Sequence, residues 1–222
     1  MAKAKIDLKR RKEIGEERKT RTRSKILSAA FDLFGNKNGL YTRVEDITSA
    51  AQITRTTFYA HFCSMDELRE ALCHEVTHEF LSRVLRVLGE IEDPAEQTAT
   101  AIRYYLKRAQ ADRMWAQSMI NISTGGFLFG AETARQALAT IQGGIDAGIF
   151  NVRSAVIGRD LVLGTTFGAI CSILRDEADE DCPEYMAFYT LIALGVAAEW
   201  AARVVEAPLP MLPEGEASAS AA

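Results

Sequence analysis

The segment TRVEDITSAAQITRTTFYAHF, residues 42–62, decides the fold of this chain. A hydroxyl side chain precedes each of its two apolar runs: Thr42, with Glu45 three residues later, can cap one short helix, and Thr54 can cap another. Two short helices joined by a tight turn predict a helix-turn-helix over about 43–62. The residues expected to face the core are Val44, Ile47, Ala51, Phe58 and Phe62.

The second helix of this pair carries side chains that suit DNA recognition. Arg55, Thr56 and Thr57 lie at its N-terminal end, which points into the major groove in helix-turn-helix proteins. An arginine can donate two hydrogen bonds to guanine, and threonine methyl groups can contact thymine. Tyr59 and His61 are placed to contact phosphates, which position a protein without reading sequence. A helical hairpin with an ordinary polar face is the alternative interpretation.

The formal charge of −4 conceals an asymmetry along the chain. Residues 1–63 contain 14 Lys and Arg residues against 7 Asp and Glu residues, whereas the remaining residues contain 12 against 23. A basic N-terminal part on an acidic body favours a nucleic-acid partner, because displacing counterions from phosphates supplies much of the affinity for DNA. A charge run that only aids solubility is the alternative.

The chain divides into four stretches. Residues 1–20 lack apolar periodicity and are predicted to be a flexible basic arm. Residues 21–80 are predicted to form a three-helix DNA-binding head, and residues 81–207 a helical body. The composition of residues 208–222 predicts a disordered tail. Strand signals are nearly absent, so the predicted fold class is all-α. Helices of the body are expected near 94–110, 112–122, 130–147, 154–177 and 183–206.

The stretch from Thr22 to Leu72 resembles the signature of the TetR family of transcriptional regulators. AAFDLFGNKNGLYTRVEDI carries the family's leading helix ending in Phe-Gly, ITRTTFYAHF is similar to its recognition helix, and SMDELREAL resembles its fourth helix. This resemblance implies a dimeric regulator, not an enzyme. Such a protein, most often a repressor, binds operator DNA and releases it when a small-molecule effector binds.

The resemblance also implies roles for individual residues. Thr42 and Arg43 occupy positions where the family contacts the DNA backbone. Met65 stands where the family usually has a lysine that contacts a phosphate. The basic residues Arg18, Lys19, Arg21, Arg23 and Lys25 would compensate for this departure. The predicted DNA-binding set is Thr42, Arg43, Thr54, Arg55, Thr56, Thr57, Tyr59 and His61.

Residues 74–78 read HEVTH and satisfy the H-E-x-x-H pattern of zinc peptidases. On a helix the imidazoles of His74 and His78 share one face and can hold zinc, with Glu75 as general base. A catalytic zinc requires a third protein ligand, and the remaining histidine, His61, belongs to the predicted recognition helix. A downstream glutamate stays possible as this ligand, but none lies in a recognisable second motif. A zinc metallopeptidase is therefore the alternative function. We expect His74 and His78 to be partly buried between head and body. We predict neither a metal nor a cofactor. A role of these histidines in a ligand pocket or a regulatory metal site stays open.

An effector site requires an apolar cavity with a few polar groups. Methionine and aromatic residues of the body are the richest candidates, although at helical spacing such residues are more often plain core. The predicted polar groups are Gln117, Asn121 and Thr165. The predicted lining comprises His78, Met114, Trp115, Met119, Phe127, Phe129, Phe150 and Phe167.

The last two predicted helices are apolar over more of their circumference than one domain face requires. Their small residues would let two backbones approach across an interface, and the set comprises Gly164, Gly168, Gly195 and Ala198. We predict a homodimer through a four-helix interface, with an intrachain hairpin as the alternative. Dimerisation would place two recognition helices on two half-sites about one helical turn, or a multiple of it, apart.

The remaining features predict the compartment. Four cysteines without a CxxC pair suit a reducing cytoplasm. The sequence has no run of about 18 consecutive apolar residues, so no membrane span is predicted. No hydrophobic segment follows the basic start, so no secretory signal peptide is predicted. The expected protein is cytoplasmic. Its expected partners are double-stranded operator DNA, a small-molecule effector and a second copy of the chain, with no membrane partner.

Overall fold

The computed structural model describes residues 2–123 and 128–213. Within these residues it contains ten α-helices and no strand, which confirms the all-α prediction. A 3₁₀ turn, Gly39–Tyr41, connects the first two helices. The helices are α1 (Ala2–Phe34), α2 (Val44–Ala50), α3 (Arg55–Tyr59), α4 (Met65–Leu88), α5 (Pro94–Ala111), α6 (Arg113–Ile122), α7 (Gly130–Asp146), α8 (Ala155–Leu174), α9 (Cys182–Ala193) and α10 (Ala198–Glu206).

The head is built on the C-terminal half of α1, which packs against α2 and α4. Ile26 and Phe34 on α1, Ile47 on α2 and Phe58 on α3 are fully buried. Phe62, which follows α3, is equally buried, and its ring centroid lies 5.9 Å from that of Phe58. These apolar contacts fix the position of α3 on the head, so its polar face points to solvent.

α1 begins at Ala2, so the prediction of a flexible arm over residues 1–20 is wrong for the described residues. Residues 10–21 are helical with exposed side chains. Lysine, arginine and glutamate are good helix formers, and Lys12 Nζ lies 3.9 Å from Glu16 Oε1 one turn away. The missing apolar periodicity therefore reflects a missing packing partner rather than a missing helix.

Side-chain caps define where two helices of the head begin. Thr54 Oγ1 accepts a hydrogen bond of 3.1 Å from the backbone N–H of Thr57 at the start of α3, as predicted. Ser64 Oγ accepts one of 3.1 Å from the N–H of Glu67 at the start of α4. Each cap satisfies an amide that the first helical turn leaves free.

The predicted Thr42–Glu45 cap of α2 is wrong by one residue. The backbone N–H of Thr42 donates to the carbonyl of Gly39 at 3.0 Å, so Thr42 still belongs to the 3₁₀ turn. The N-cap of α2 is Arg43, whose backbone N–H donates to Asp46 Oδ2 at 2.8 Å. The helix begins only after the turn has closed.

Helix α5 is the centre of the body and packs against α4 and against α6 to α10. Asp93 caps it by accepting a hydrogen bond of 2.8 Å from the N–H of Ala95, with Pro94 in the first turn. Arg103 on α5 is only 6% exposed. Its guanidinium donates to Glu184 Oε1 on α9 at 3.3 Å and to the carbonyl of Ala207 at 3.0 Å. Arg103 therefore links α5 to α9 and to the residue that follows α10.

The predicted last helix, 183–206, is in fact two helices, α9 and α10. Gly195 between them has a φ of +93°, which favours glycine. A Cβ at this position would lie 2.8 Å from the Cβ of Asn151, and the N–H of Asn151 donates to the carbonyl of Leu194. The chain therefore turns here. The helix predicted over 154–177 likewise ends earlier, at Leu174.

The tail predicted to be disordered from residue 208 is bound to the body as far as Pro213, so that prediction is wrong for 208–213. Tyr104 Oη donates to the carbonyl of Pro210 at 2.7 Å, and Arg83 Nε donates to the carbonyl of Pro213 at 2.6 Å. Leu209 is partly buried against the core. Proline prevents a helix but leaves backbone carbonyls free to accept such bonds. Residues 214–222 lie outside the described residues.

One helix among the described residues, α8, is long and apolar enough to span a membrane by length and composition alone. It packs against α5, α6, α7 and α9 of the same chain. The core helices of water-soluble proteins meet the same two criteria, so the composition of α8 is weak evidence for a membrane span.

Candidate DNA-binding surface and effector cavity

The polar face of α3, with the start of α2, forms the candidate DNA-binding surface. Its hydroxyl, phenol and guanidinium groups project from the head because Phe58 and Phe62 hold the opposite face in the core. Every predicted DNA-binding residue is at least partly accessible. The exposed members are Arg43, Thr54, Arg55, Thr56 and Tyr59, and the half-buried members are Thr42, Thr57 and His61.

Arg55 forms an ion pair with Glu45 on α2. Its Nη1 lies 3.0 Å from Glu45 Oε1, and the two side chains are 63% and 53% exposed. Ion pairs this accessible contribute at most about 1 kcal/mol. Arg55 can therefore exchange Glu45 for an acceptor on DNA at little cost, and the pair holds the guanidinium at the surface of the head.

The two threonines next to Arg55 differ in availability. Thr57 Oγ1 lies 2.9 Å from Thr54 Oγ1, within the cap of α3. The Thr57 hydroxyl is therefore engaged within the helix. Thr56 is exposed, which makes it the better candidate for a contact to a base edge.

His61 differs from the other predicted DNA contacts in its charge. Partial burial, followed by the positive charges of Lys19 and Arg23, lowers its pKa from the usual value. Its Nδ1 is buried without a hydrogen-bond partner. His61 is accordingly neutral at pH 7 in the absence of DNA, so a phosphate contact from it would be a hydrogen bond rather than a charge pair.

The basic residues of α1 divide into a structural and an exposed group. Arg23 Nη1 donates to the carbonyl of His61 at 3.2 Å, and the guanidinium carbon lies 4.3 Å from the ring centroid of Phe62. Arg23 therefore helps to fix the end of α3. Within residues 10–34 of α1, the exposed group comprises Arg10, Arg11, Lys12, Arg18, Lys19, Arg21 and Lys25.

One exposed aromatic residue next to this surface was not predicted from the sequence. Tyr41 ends the 3₁₀ turn directly before Thr42 and is 76% exposed. A tyrosine hydroxyl can donate to a phosphate oxygen. The signal in the sequence was the position of Tyr41 beside the predicted backbone contacts.

An apolar cavity of about 70 Å³ lies between α4, α5, α7 and α8. Its wall contains hydroxyl and amide groups but no Asp, Glu, Lys, Arg or His side chain among the described residues. Tyr105 Oη lies 3.1 Å from Thr133 Oγ1, and burial raises the pKa of Tyr105, so the phenol stays neutral. The lining residues are Leu81, Val84, Leu85, Leu88, Gln97, Thr98, Ala101, Ile102, Tyr105, Phe129, Thr133, Gln136, Ala137, Thr140, Ile141, Val162, Leu163 and Thr166.

Of the predicted lining residues, Phe129 lies in the cavity wall. Trp115 is buried but is not among the lining residues, although its ring centroid lies 6.1 Å from that of Tyr105, which is. Met114 is 47% exposed at the surface, which contradicts its predicted place in the lining. The core residues Met119 and Phe150 and the partly buried Phe167 are not among the lining residues. Phe127 lies outside the described residues.

The residues that do line the cavity follow helical spacing. On α5 they include Thr98, Ile102 and Tyr105, and on α7 they include Thr133 and Ala137. Apolar and hydroxyl residues alternate along these stripes. The prediction rested on methionine and aromatic residues and therefore did not include these threonine and alanine positions. Their i, i+3 and i+4 spacing along α5 and α7 is the pattern in the sequence that indicates them.

Asn121, predicted as a polar group of the cavity, connects the body to the head instead. Its Nδ2 donates to the carbonyl of Phe34 at 2.7 Å and to that of Asn36 at 3.0 Å. Ser118 Oγ lies 3.5 Å from the carbonyl of Phe31. Helix α6 thus holds the C-terminal end of α1. The other two predicted polar residues, Gln117 and Thr165, are not among the lining residues either. Thr165 Oγ1 donates to the carbonyl of Leu161 within α8 and lies 3.0 Å from Thr190 Oγ1 on α9.

Two family models match the chain. Residues 26–72 match the model of the bacterial regulatory proteins of the tetR family. Residues 93–207, more than half of the chain, match the tetracyclin repressor-like C-terminal domain. The chain belongs to the TetR family. The resemblance found over residues 22–72 is therefore confirmed.

One relative of this TetR-family protein is an uncharacterised HTH-type transcriptional regulator of Mycobacterium tuberculosis. The two are 29% identical over 83 residues, which cover 37% of this chain and 41% of the relative. The matched region therefore spans less than half of the curated relative.

Solved structures share the fold of the TetR-family chain. RolR in complex with resorcinol is 21% identical and has a TM-score of 0.64, covering 89% of this chain and 100% of that one. FadR from Bacillus subtilis in complex with stearoyl-CoA is 18% identical with a TM-score of 0.59, covering 79% of this chain and 98% of that one. Identities this low show the common fold and carry no ligand across.

The two histidines of the HEVTH segment are exposed, so the expectation of partly buried residues between head and body is wrong. The buried stripe of α4 is formed by other residues, among them Leu72, Phe80 and Val84. His78 lies outside the cavity wall, and its Nδ1 is 3.6 Å from Glu132 Oε2 on α7. Glu132 is a downstream glutamate of the kind that the sequence left open as a third ligand group. TetR-family regulators are nevertheless DNA-binding proteins rather than enzymes.

The predicted interface residues lie on the surface of α8 and around the turn before α10. Gly164 and Gly168 are exposed, and a Cβ on either would meet no heavy atom within 4 Å. Gly195 is required by the turn after α9, and Ala198 is exposed at the start of α10. An interface role for these residues stays a prediction.

Proposed function

We propose that this chain is a sequence-specific DNA-binding repressor that leaves its operator when a small neutral molecule fills the cavity of the body. The observation that carries this proposal is the position of Arg55, Thr56 and Tyr59. All three are exposed on one short helix beside the basic surface of α1. Arg55 and Thr56 contact base edges. The phosphates are contacted by Tyr59, Tyr41 and the exposed cations of α1.

The effector is a largely apolar molecule with one or two neutral hydrogen-bonding groups. The cavity wall supplies hydroxyl and amide partners and no charged side chain among its described residues. An ion entering such a wall would lose its hydration without a compensating charge. RolR binds resorcinol and FadR binds stearoyl-CoA, and a small cavity of about 70 Å³ favours a ligand nearer to the first in size.

The signal passes through α4 and α6. Helix α4 begins in the head and lines the cavity through Leu81 and Leu85. Helix α6 packs against α4 and holds the end of α1 through Asn121. A ligand that displaces α4 would therefore move the head relative to the body, which couples the two sites through elements common to both.

Operator binding requires two heads, and we propose a homodimer through α8 and α9. Large apolar side chains are exposed on these helices, namely Val156, Ile157, Tyr185, Tyr189 and Ile192. The open small surfaces at Gly164 and Gly168 would let the partner helix approach closely. Sedimentation of the parent and of Gly168→Arg tests this interface. A monomeric parent, or an unchanged dimer in the variant, would contradict it.

DNA binding is tested by fluorescence anisotropy on a fragment from upstream of the protein's own gene, at several salt concentrations. Arg55→Ala is expected to weaken specific binding by about 1–3 kcal/mol. Lys19→Ala should weaken specific and nonspecific binding alike and reduce the salt dependence. A parent-like affinity of Arg55→Ala for its specific site would refute the assignment of α3 as the recognition helix.

The effector class is tested by melting the purified protein with a matched pair of probes, benzyl alcohol and benzoate. The neutral probe is expected to raise the melting temperature and benzoate to leave it unchanged, because only the alcohol enters an uncharged wall without an ionic penalty. Stabilisation by benzoate alone would contradict a neutral effector.

A further inference from the structure

A second feature, outside the lining of the cavity, brings together three side chains of kinds that bind metal ions. His74 and His78 stand one turn apart on α4, with ring centroids 4.9 Å apart and ring planes inclined by 14°. Glu132, in the first turn of α7, reaches the same place from a different helix. One ligand atom from each of the three residues lies within 4.8 Å of the other two.

These distances suit a metal ion. Two ligand atoms on one tetrahedral zinc ion lie about 3.3–3.5 Å apart, given bonds of about 2.0–2.1 Å. His78 Nδ1 and Glu132 Oε2 are already 3.6 Å apart. To bind one zinc ion, the two ligand atoms that lie farthest apart, within 4.8 Å, must approach each other by little more than an ångström. Both histidines are exposed, so their rings can turn without disturbing packed neighbours.

The surroundings favour a cation. The groove that contains His74 and Glu132 carries three further carboxylates and two guanidinium groups. With neutral imidazoles the lining is therefore net negative. The carboxylates are Asp66, Glu67 and Glu70 besides Glu132, and the guanidinium groups are those of Arg69 and Arg135.

We propose that His74, His78 and Glu132 form a binding site for a divalent transition-metal ion of the zinc type, which joins α4 to α7. Two imidazoles and one carboxylate suit zinc, nickel and cobalt better than magnesium or calcium, which prefer all-oxygen ligands. Three protein ligands leave a position for water. The bound ion restrains the helix that leads from the head against the first turn of α7, independently of any DNA contact.

The test uses the full chain, stripped with a chelator and then titrated with Zn²⁺ by calorimetry and with Co²⁺ by visible absorption. We expect one ion per chain, a Co²⁺ spectrum without a thiolate charge-transfer band, and a higher melting temperature with Zn²⁺. A cobalt–thiolate band would place the ion on one of the free cysteines and overturn the proposal, as would the absence of any binding.

His78→Ala and Glu132→Ala remove one ligand from each helix. Each is expected to weaken Zn²⁺ binding by at least about tenfold, since even the loss of an outer-shell partner costs roughly 10–100-fold. Glu75→Gln is the matched control on α4, because Glu75 is outside the three-ligand cluster. It should bind as the parent does. Unchanged Zn²⁺ affinity and stabilisation in Glu132→Ala would overturn the bridge between the helices.

Discussion

The side-chain amide of Asn121 on α6 donates a hydrogen bond of 2.7 Å to the backbone carbonyl of Phe34, the last residue of α1. The same nitrogen donates to the carbonyl of Asn36 at 3.0 Å. Asn121 is only 4% exposed. One side chain of the body thus satisfies the Phe34 carbonyl, which α1 leaves free at its C-terminal end, whereas the Asn36 carbonyl also accepts from the N–H of Gly39. Head and body are joined by a polar contact with a fixed direction as well as by apolar packing.

Asn121→Ala is therefore expected to destabilise the protein by about 1–3 kcal/mol, because it leaves the buried carbonyl of Phe34 without its donor. Urea unfolding of parent and variant measures this loss. Gln117→Ala, a half-buried position on the same helix, is the control and should cost less. An equal loss of unfolding free energy in the two variants would mean that α6 tolerates the missing amide and that the Asn121 contact does not hold head and body together.

Glu45→Gln is expected to strengthen DNA binding by up to about fivefold, since the exposed pair that it removes contributes at most about 1 kcal/mol. The substitution releases Arg55 and removes a negative charge 3.0 Å from it. The affinity is measured by anisotropy at fixed salt. Glu199→Gln changes the net charge equally, but at an exposed position on α10, and should have no effect.

The dependence on Arg55 is tested in the double variant. If release of Arg55 is the cause, Glu45→Gln adds nothing to a chain that already carries Arg55→Ala. An equal gain with and without Arg55 would instead indicate a general effect of charge near the phosphates.

Ala137→Leu fills the cavity from α7. Added apolar carbons in existing space should raise the free energy of unfolding by about 1 kcal/mol, whereas overpacking would lower it by about 1–3 kcal/mol. Because the leucine side chain occupies the space proposed for the effector, the variant should no longer be stabilised by benzyl alcohol. Retained stabilisation by the probe would place the effector site elsewhere. Ala139→Leu, at an exposed position of the same helix, is the matched control.

The head could be predicted closely from the sequence because its signals are local. Caps at Thr54 and Ser64 and anchors at Phe58 and Phe62 each specify structure within a few residues. The error at Thr42 arose because a 3₁₀ turn and a helix compete for the same residue. Local patterns do not decide such competition.

The sites of the body depend on residues that are distant in sequence, and these were predicted less well. Glu132 approaches His78 only because α7 packs against α4, and no spacing rule connects the two. Polar cavity residues such as Thr98 and Thr166 have the composition of a surface and become buried only by packing between helices. The tail to Pro213 is ordered by hydrogen bonds from Arg83 and Tyr104, which its own composition does not indicate.

The buried ion pair between α5 and α9 predicts how stability changes with pH. Burial favours the neutral form of Glu184, but the hydrogen bond and charge of Lys107 and the charge of Arg103 outweigh it, so its pKa lies below the usual value. A carboxyl group whose pKa is lower in the folded state binds fewer protons there than in the unfolded state. It therefore stabilises the protein above its unfolded pKa, and this contribution is lost as the pH falls through the folded pKa.

Glu184→Gln should accordingly lower the free energy of unfolding at pH 7 by about 1–3 kcal/mol, because the amide oxygen can still accept from Arg103 but the negative charge that pairs with Arg103 and Lys107 is lost. The deficit should begin to shrink as the pH falls below the usual pKa of a glutamate and should disappear once the pH is below the lowered pKa of Glu184 in the folded protein. Urea unfolding across this range measures both effects. Glu180→Gln, at an exposed position before α9, should show neither. A deficit that stays constant with pH would mean that the amide disturbs packing and that the charge of Glu184 contributes nothing.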